Sequence, residues 1–469
     1  MSRKISTPSG GDTPLPAQKP RVAWYADDFT GAAATMEVLN FAGIKTVLFL
    51  DVPTPDQLDQ FPGIEGFGVA STARAQTPDW MDQNLPTAFD RIKAFEPEIF
   101  HYKICSTLDS APHIGSIGKA IEIGADCFDS QSIPVLVAAP KMLRYQCFGQ
   151  LFAGMGDRIF RLDQHPVMAR HPVTPMQEPD VAAHILKQSG RLDATLIPLN
   201  EMGASFSYTP QADARPDGLS LVSIDSVNDD TDAIAGRILW ENRRQMPFVV
   251  GSQGIEYALV EHWQRTGIIA QTAPPTSIGR ASAMMCVSGS VSPTTASQIE
   301  WSRQNGFECI AFDATQLCRD PEAVNREAAR VIAASKEALS KGHDPLVYSA
   351  AGPDDPMVAQ LIEAVAKSSH SMAEINRKIG ETLGLILKQI LTDCGVRRAV
   401  VSGGDTSGSV TQQLEIFALT ALAPTIAGAS ICRVHASNGF DGLELALKGG
   451  QMGSQDYFGW VRDGGGPRQ

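Results

Sequence analysis

The 469-residue sequence predicts an α/β protein made of two α/β domains with mainly parallel sheets. Three observations carry that expectation. Short apolar strand-like runs alternate with longer helix-like segments, the pattern of parallel α/β layers. The length exceeds what one ordinary core accommodates. A compositional break, Gln-Thr-Ala-Pro-Pro-Thr-Ser-Ile-Gly at 271–279, suits a linker, and a strand restarts just beyond it. The expected organisation is a disordered tail over 1–20, a first domain over 21–272 and a second over 280–469, with no internal repeat.

Taken in order, the expected strands are Arg21–Ala26, Thr46–Leu50, Phe67–Ala70, Ile99–Lys103, Val135–Ala138, Leu196–Pro198 and Phe248–Val250 in the first half. In the second they are Ala283–Val287, Cys309–Phe312, Leu346–Ser349 and Ala399–Ser402. Between the last two, Ile375, Ile379, Leu383, Ile386 and Ile390 recur at helical spacing as a core stripe, and Gly395 is placed to end the helix.

Bulk composition excludes several function classes. A hydrophobic content of 43% rules out wholesale disorder. The net charge of −13, from 39 basic and 52 acidic residues, argues against a nucleic-acid or anionic-membrane binder, which needs a concentrated basic surface. Anionic small substrates stay open, served by a few local cations or backbone N–H groups. The eight cysteines form no C-x-x-C pair and read as thiols of a reducing compartment. The first 20 residues lack the apolar core of a secretory signal and no run approaches a membrane span, so a cytoplasmic protein is expected.

Ligands of open α/β sheets bind at the carboxyl ends of strands. Four strand ends carry chemistry. In Trp24-Tyr25-Ala26-Asp27-Asp28-Phe29-Thr30-Gly31-Ala32, Asp27 and Asp28 stand where a substrate hydroxyl could be held or deprotonated; the bland alternative is helix capping alone, and the expectation is that one carboxylate caps the helix that follows while the other meets the ligand. His101-Tyr102-Lys103-Ile104-Cys105-Ser106-Thr107-Leu108-Asp109-Ser110 offers Lys103 as a point charge beside a hydroxyl-rich turn, or else only a solvated turn. Beyond these, Arg144 follows a strand and Pro140, and His171 lies in the Pro-stiffened loop Arg170-His171-Pro172-Val173-Thr174-Pro175-Met176, as base, ligand donor or structural residue.

In the second half, Cys286-Val287-Ser288-Gly289-Ser290-Val291-Ser292-Pro293 opens a helix with Ser292 at its N-cap and Pro293 at its first position. Ser402-Gly403-Gly404-Asp405-Thr406-Ser407-Gly408 ends a Val-rich strand in glycines and reopens as a helix, leaving convergent N–H groups suited to phosphate oxygens. Two such loops point to one shared anion site. Neither G-x-G-x-x-G nor G-x-x-x-x-G-K-[ST] is present, so no dinucleotide or P-loop mechanism transfers.

The ordered motifs Ala-Asp-Asp-Phe-Thr-Gly-Ala, Tyr-Lys-x-Cys-Ser-Thr-x-Asp-Ser, His-Pro-Val-Thr-Pro-Met, Val-Ser-Gly-Ser and Gly-Gly-Asp-Thr-Ser resemble the four-carbon acid sugar kinase family across residues 21 to 462. The resemblance implies a sugar-acid domain, a nucleotide domain and an active site in the cleft between them. It implies that Asp28, Arg74, Lys103 and the loop Cys105, Ser106, Thr107 and Leu108 hold the acid, and that Ser290, Gly403, Gly404, Asp405, Thr406 and Gly450 hold ATP; Mg²⁺ is expected to accompany the ATP phosphates. Gly450 lies in Leu447-Lys448-Gly449-Gly450-Gln451-Met452-Gly453, which departs from the family's Lys-Ser-Gly-Asn-Phe-Gly. Ala34 stands where many members carry Asp, and Ala111-Pro112-His113 departs from the 3-oxo-tetronate members. The Tyr-Lys-x-Cys-Ser-Thr and His-Pro-Val-Thr-Pro-Met elements favour 3-oxo-tetronate over threonate or erythronate, and leave 3-oxo-isoapionate open.

The mechanism expected is positioning plus charge neutralisation, with Asp28 or Asp27 orienting or deprotonating the accepting terminal hydroxyl and domain closure excluding water. Asp405 could meet ribose, metal or only its own loop, and sequence assigns no metal ligands. A non-catalytic sugar-acid sensor and a nucleotide-dependent enzyme of other chemistry are the competing classes. No nucleic-acid or membrane partner is expected, and a homodimer stays open.

Overall fold

The computed structural model describes residues 19–210, 218–273 and 275–468. Of the expected tail, residues 1–18 lie outside the described residues, as does Pro274 of the expected linker.

The strands of the first half are β1 (Val22–Ala26), β2 (Thr46–Phe49), β3 (Gly66–Ala70), β4 (Ile99–Lys103), β5 (Ser132–Leu136), β6 (Arg144–Cys147), β7 (Gln150–Met155), β8 (Arg158–Arg161), β9 (Leu192–Ile197), β10 (Leu219–Ile224) and β11 (Phe248–Gly251). Those of the second half are β12 (Met285–Ser288), β13 (Phe307–Ala311), β14 (Asp344–Tyr348), β15 (Arg398–Ser402), β16 (Ile416–Ala423), β17 (Ile431–Ala436) and β18 (Glu444–Lys448). Strands such as Val-Ala-Trp-Tyr-Ala of β1 are buried along their whole length, as parallel strands covered on both faces must be.

The fold is α/β and mostly parallel, but the two sheets expected from sequence are one. Fifteen strands run in the order β13, β14, β12, β15, β18, β17, β16, β2, β3, β1, β4, β11, β5, β10, β9, and β6, β7 and β8 form a separate small sheet. From β2 to β9 all neighbours are parallel, as they are from β13 to β18. Between these blocks β17 pairs antiparallel with β18 and β16, and β16 pairs antiparallel with β2. The halves are therefore sewn together by backbone hydrogen bonds.

Helices cover both faces. Helix Met372–Cys394 starts at a Ser371–Glu374 capping box, buries Ile375, Ile379, Leu383, Ile386 and Ile390, and stops at Gly395, whose φ of 64° is cheap only for glycine. The expected core stripe and stop signal are thus in place.

Candidate functional site

Strand order reverses around β1: the chain leaves it toward β2 on one side and later reaches β4 on the other. Such a switch point opens a crevice at the strands' carboxyl ends. Asp27 and Asp28 follow β1 there, Arg74 follows β3 and Lys103 ends β4. Arg74 Nε donates to Asp27 Oδ2 at 3.1 Å, and its Nη2 donates to Asp27 Oδ1 at 2.6 Å and to Asp28 Oδ1 at 2.7 Å. Both Asp27 oxygens are thereby occupied, and the side chain is 4% exposed. Burial pushes the Asp27 carboxyl above its ordinary value, against the pull of Arg74.

Asp28 is the open member of the pair, with its side chain 27% exposed. It caps helix Phe29–Phe41, its Oδ1 accepting from Gly31 N at 2.9 Å. Its Oδ2 has no partner among the described residues. The expected division, one carboxylate capping and the other facing the ligand, is not what the structure shows: Asp28 both caps and faces out, because Arg74 takes up both oxygens of Asp27. Gly31 is required here, because a Cβ would lie 2.5 Å from Asp28 Oδ1 and 2.7 Å from Lys103 Nζ. That close approach brings the buried Lys103 amine, otherwise donating to Ile104 O at 2.7 Å, beside the acidic pair.

Beyond Lys103 the chain turns through Cys105, Ser106, Thr107 and Leu108. Cys105 Sγ contacts Thr107 Oγ1 at 3.2 Å, and Leu108 takes a φ of 54°, a left-handed conformation uncommon for a branched residue and typical of sites that hold strain. Cys105 lies near both Arg74 and Arg144. Arg144 Nη1 donates to the carbonyls of Met142 and Leu143, both at 3.2 Å, and to Gly154 O at 3.4 Å, while its buried Nε has no partner among the described residues. His171 is further out: Thr174 N donates to its Nδ1 at 3.1 Å, and Thr174 Oγ1 donates to Asp109, which ties the His171 loop to the end of the Cys105–Leu108 turn.

The second cluster lies at the carboxyl ends of β12, β15 and β18. Gly403 has a φ of 119° and precedes helix Gly404–Gln413, whose N-terminus carries no side-chain cap. Its first N–H groups are therefore unspent by side chains. Gly404 and Asp405 are exposed and Thr406 is buried. The other loops close on this point: a Cβ on Gly289 would sit 2.2 Å from Thr406 Oγ1, and one on Gly450 would sit 2.2 Å from Ser290 Oγ. As expected, Ser292 caps helix Pro293–Arg303, accepting from Thr295 N at 3.0 Å. Thr295 Oγ1 lies 3.0 Å from both Ser290 Oγ and Gly450 O, which locks the β12 and β18 loops together. Ser290, Gly403, Gly404, Asp405, Thr406 and Gly450 are thus all brought to one place.

Sequence reasoning missed two buried charges. Glu37, on the helix that Asp28 caps, reaches the second half and accepts from Gly428 N, Ser430 N and Ser430 Oγ. Gly428 packs so tightly on that helix that a Cβ would lie 2.9 Å from both Thr30 Oand Cγ2. A lone Glu in the apolar run Ala32-Ala33-Ala34-Thr35-Met36-Glu37-Val38-Leu39 was the available signal. The other is Lys448, ending the apolar strand β18.

Comparison with known proteins gives two domain matches: a "Sugar-binding N-terminal domain" over residues 22–259 and a "Nucleotide-binding C-terminal domain" over residues 285–458. A 3-oxo-isoapionate kinase of Paraburkholderia graminis is 40% identical over 446 residues, 94% of each chain. A 3-oxo-tetronate kinase of Cupriavidus necator is 28% identical over 447 residues, 94% of this chain and 96% of the relative. A Haemophilus influenzae protein of solved structure shares the fold with a TM-score of 0.68 at 22% identity, covering 94% of this chain and 99% of that one. With both domains matched and a relative so similar along nearly its whole length, the chain belongs to the four-carbon acid sugar kinase family.

Proposed function

We propose that this sugar-acid kinase transfers the γ-phosphoryl group of ATP to a terminal hydroxyl of a branched 3-oxo sugar acid of the 3-oxo-isoapionate type. The carrying observation is Asp28, whose Oδ2 is open at a strand end already lined by Arg74 and Lys103. Arg144 adds a buried, unpartnered Nε, a donor that a substrate carboxylate would satisfy. Asp27, spent on Arg74, holds the guanidinium in place.

Asp28 Oδ2 accepts the proton of the acceptor hydroxyl as its oxygen bonds to the γ-phosphorus, and the bond to the bridging oxygen breaks to release ADP. The uncapped N-terminus of helix Gly404–Gln413 and the Ser290 and Gly450 loops receive the phosphates. Mg²⁺ favours phosphate oxygens, water and one or two carboxylates, so Asp405 is the residue of this loop that would hold it, where it would neutralise phosphate charge. Among the described residues no group of three or more His, Cys, Asp or Glu is gathered so as to hold a metal ion.

Strand direction favours a shared cleft. Neighbouring strands twist by roughly 20–25°. Over the six steps from β15 through β18, β17, β16, β2 and β3 to β1 this accumulates to about 120–150°. Added to the reversal at β2 and β16, a twist of that size would turn the two carboxyl edges toward one side. The division of labour follows the two matched domains, with the acid in the first half and the nucleotide in the second. A cytoplasmic setting suits eight free thiols and ATP as substrate; among the described residues no helix is long and apolar enough to cross a membrane.

The branched acid is preferred over 3-oxo-tetronate because the 3-oxo-isoapionate kinase is 40% identical and the 3-oxo-tetronate kinase 28%. A coupled ADP-release assay with Mg·ATP decides between them on a panel of 3-oxo-isoapionate, 3-oxo-tetronates and tetronates. Turnover highest with 3-oxo-isoapionate and abolished by Asp28→Asn is expected. Preference for an unbranched 3-oxo acid would overturn the substrate assignment, and ATP binding without turnover on any acid would favour a sensor.

A further inference from the structure

The loops gathered at the second cluster contain no Arg or Lys: Gly289-Ser290-Val291-Ser292 after β12, Ser349-Ala350-Ala351-Gly352-Pro353-Asp354-Asp355 after β14, Gly403-Gly404-Asp405-Thr406 after β15 and Gly449-Gly450-Gln451-Met452 after β18. Polyphosphate placed there would meet N–H dipoles but no side-chain cation from these loops. Lys448, immediately before the last of them, is a buried cation within the same assembly. Its carbonyl accepts from Gly403 N at 2.9 Å, and it pairs in register with Ser402. Residues paired in register share a face of the sheet. Ser402 Oγ lies 3.5 Å from Thr295 Oγ1, so the Lys448 side chain is on the face that carries the Ser290–Thr295–Gly450 network.

The Lys448 residue is 2% exposed. Among the described residues its amine has one hydrogen-bond acceptor, Gly449 O at 3.2 Å, and no carboxylate partner. The rings of Tyr457 and Phe458 lie 5.8 and 5.9 Å away. An amine buried with unspent N–H groups and no counter-ion is expensive to keep unless a ligand completes it.

We propose that Lys448 supplies the protein's own positive charge to the phosphates of the bound nucleotide. This rests on the reading that the second half binds nucleotide. Burial pulls the amine down to about 7. Phosphate would supply the missing counter-charge and raise it, so nucleotide binding takes up a proton at a pH above 7. The titratable group facing the amine is Tyr457, whose hydroxyl donates to Ala429 O at 2.7 Å and is pushed up by burial, so it remains neutral over this range. Ser402 and Thr295 carry no charge.

The test is calorimetric titration of Mg·ADP into the full-length protein, in buffers of differing ionisation enthalpy and across a pH series. The wild type should take up most of a proton per nucleotide above pH 7, and its affinity should fall by up to about tenfold per pH unit there. Lys448→Met should lose the uptake and bind about tenfold or more weakly, with an unchanged near-ultraviolet circular dichroism spectrum. A wild type that binds Mg·ADP with no proton uptake and a flat pH profile would overturn the role of Lys448 and leave the nucleotide reading standing; this arm does not depend on the variant folding. A Lys448→Met protein that keeps both affinity and uptake would overturn it equally. Absence of any adenine-nucleotide binding to the wild type would overturn the nucleotide reading itself.

Discussion

Glu37 accepts hydrogen bonds from both the amide and the hydroxyl of Ser430, at 3.0 and 2.8 Å, across 393 positions of sequence. With a third bond from Gly428 N at 2.8 Å, this carboxyl ties the helix that Asp28 caps to the second half. Burial pushes Glu37 from 4.5 up to about 7, outweighing those three bonds. The folded protein therefore holds this proton more tightly than the unfolded chain does. Its contribution to stability is full below pH 4.5 and is lost as pH rises toward 7. The change is roughly 3 kcal/mol at 1.36 kcal/mol per pKa unit. Urea unfolding should show a steeper decline across that window in wild type than in Glu37→Gln; parallel curves would remove Glu37 as the source.

Asp27 and Asp28 should separate cleanly. Asp28→Asn should lower kcat by about 10²–10⁴, the usual range for a general base, with little change in Tm. Asp27→Asn leaves Arg74 without its main counter-charge and should cost about 3–5 kcal/mol of stability, as breaking a buried pair does. Thermal melts read beside kcat would refute the assignment if the two profiles were exchanged.

Arg144→Met should raise KM for the sugar acid by about 10- to 100-fold, the equivalent of one charged hydrogen bond, and leave KM for ATP unchanged. Equal rises in both constants would place Arg144 in the scaffold and not at the acid.

Gly450→Ala puts a Cβ 2.2 Å from Ser290 Oγ, so Ser290 or the loop must shift. KM for ATP should rise about tenfold or more with KM for the acid unaffected. Gly408→Ala is the control: nothing lies within 4 Å of its Cβ, and on a helix the change should be neutral or stabilise by up to about 1 kcal/mol. Steady-state kinetics on the two variants distinguish crowding at the site from a general glycine effect.

Much of this architecture was legible in the chain. Ile99–Lys103 was read with its observed ends, and the other expected strands overlap observed ones, because buried parallel strands are short apolar runs bounded by turn residues. The strands that escaped are β6 to β8, β10 and β16 to β18: β6 to β8 have mixed burial, and β16, β17 and β18 follow one another without a helix between them, so strand–helix alternation did not announce them. The shared sheet was illegible for a related reason: β2 meets β16 through pairing hundreds of residues apart, and no local pattern encodes that partner. At the site, Asp28, Lys103 and the glycine loops were readable from strand ends. Glu37 and Lys448 were not read: each stood out only as a lone charge in an apolar run, and what makes it special, its burial, is a property of the fold.

The β2–β16 seam rests on two register pairs, Ala418 with Phe49 and Leu419 with Leu48, whereas β1 and β3 share five. Leu48 and Leu419, on either side of this narrow join, belong to one hydrophobic core that runs through both halves, and the three hydrogen bonds of Glu37 cross it as well. Packed apolar side chains, and not the two-pair ladder alone, therefore carry load from one half to the other.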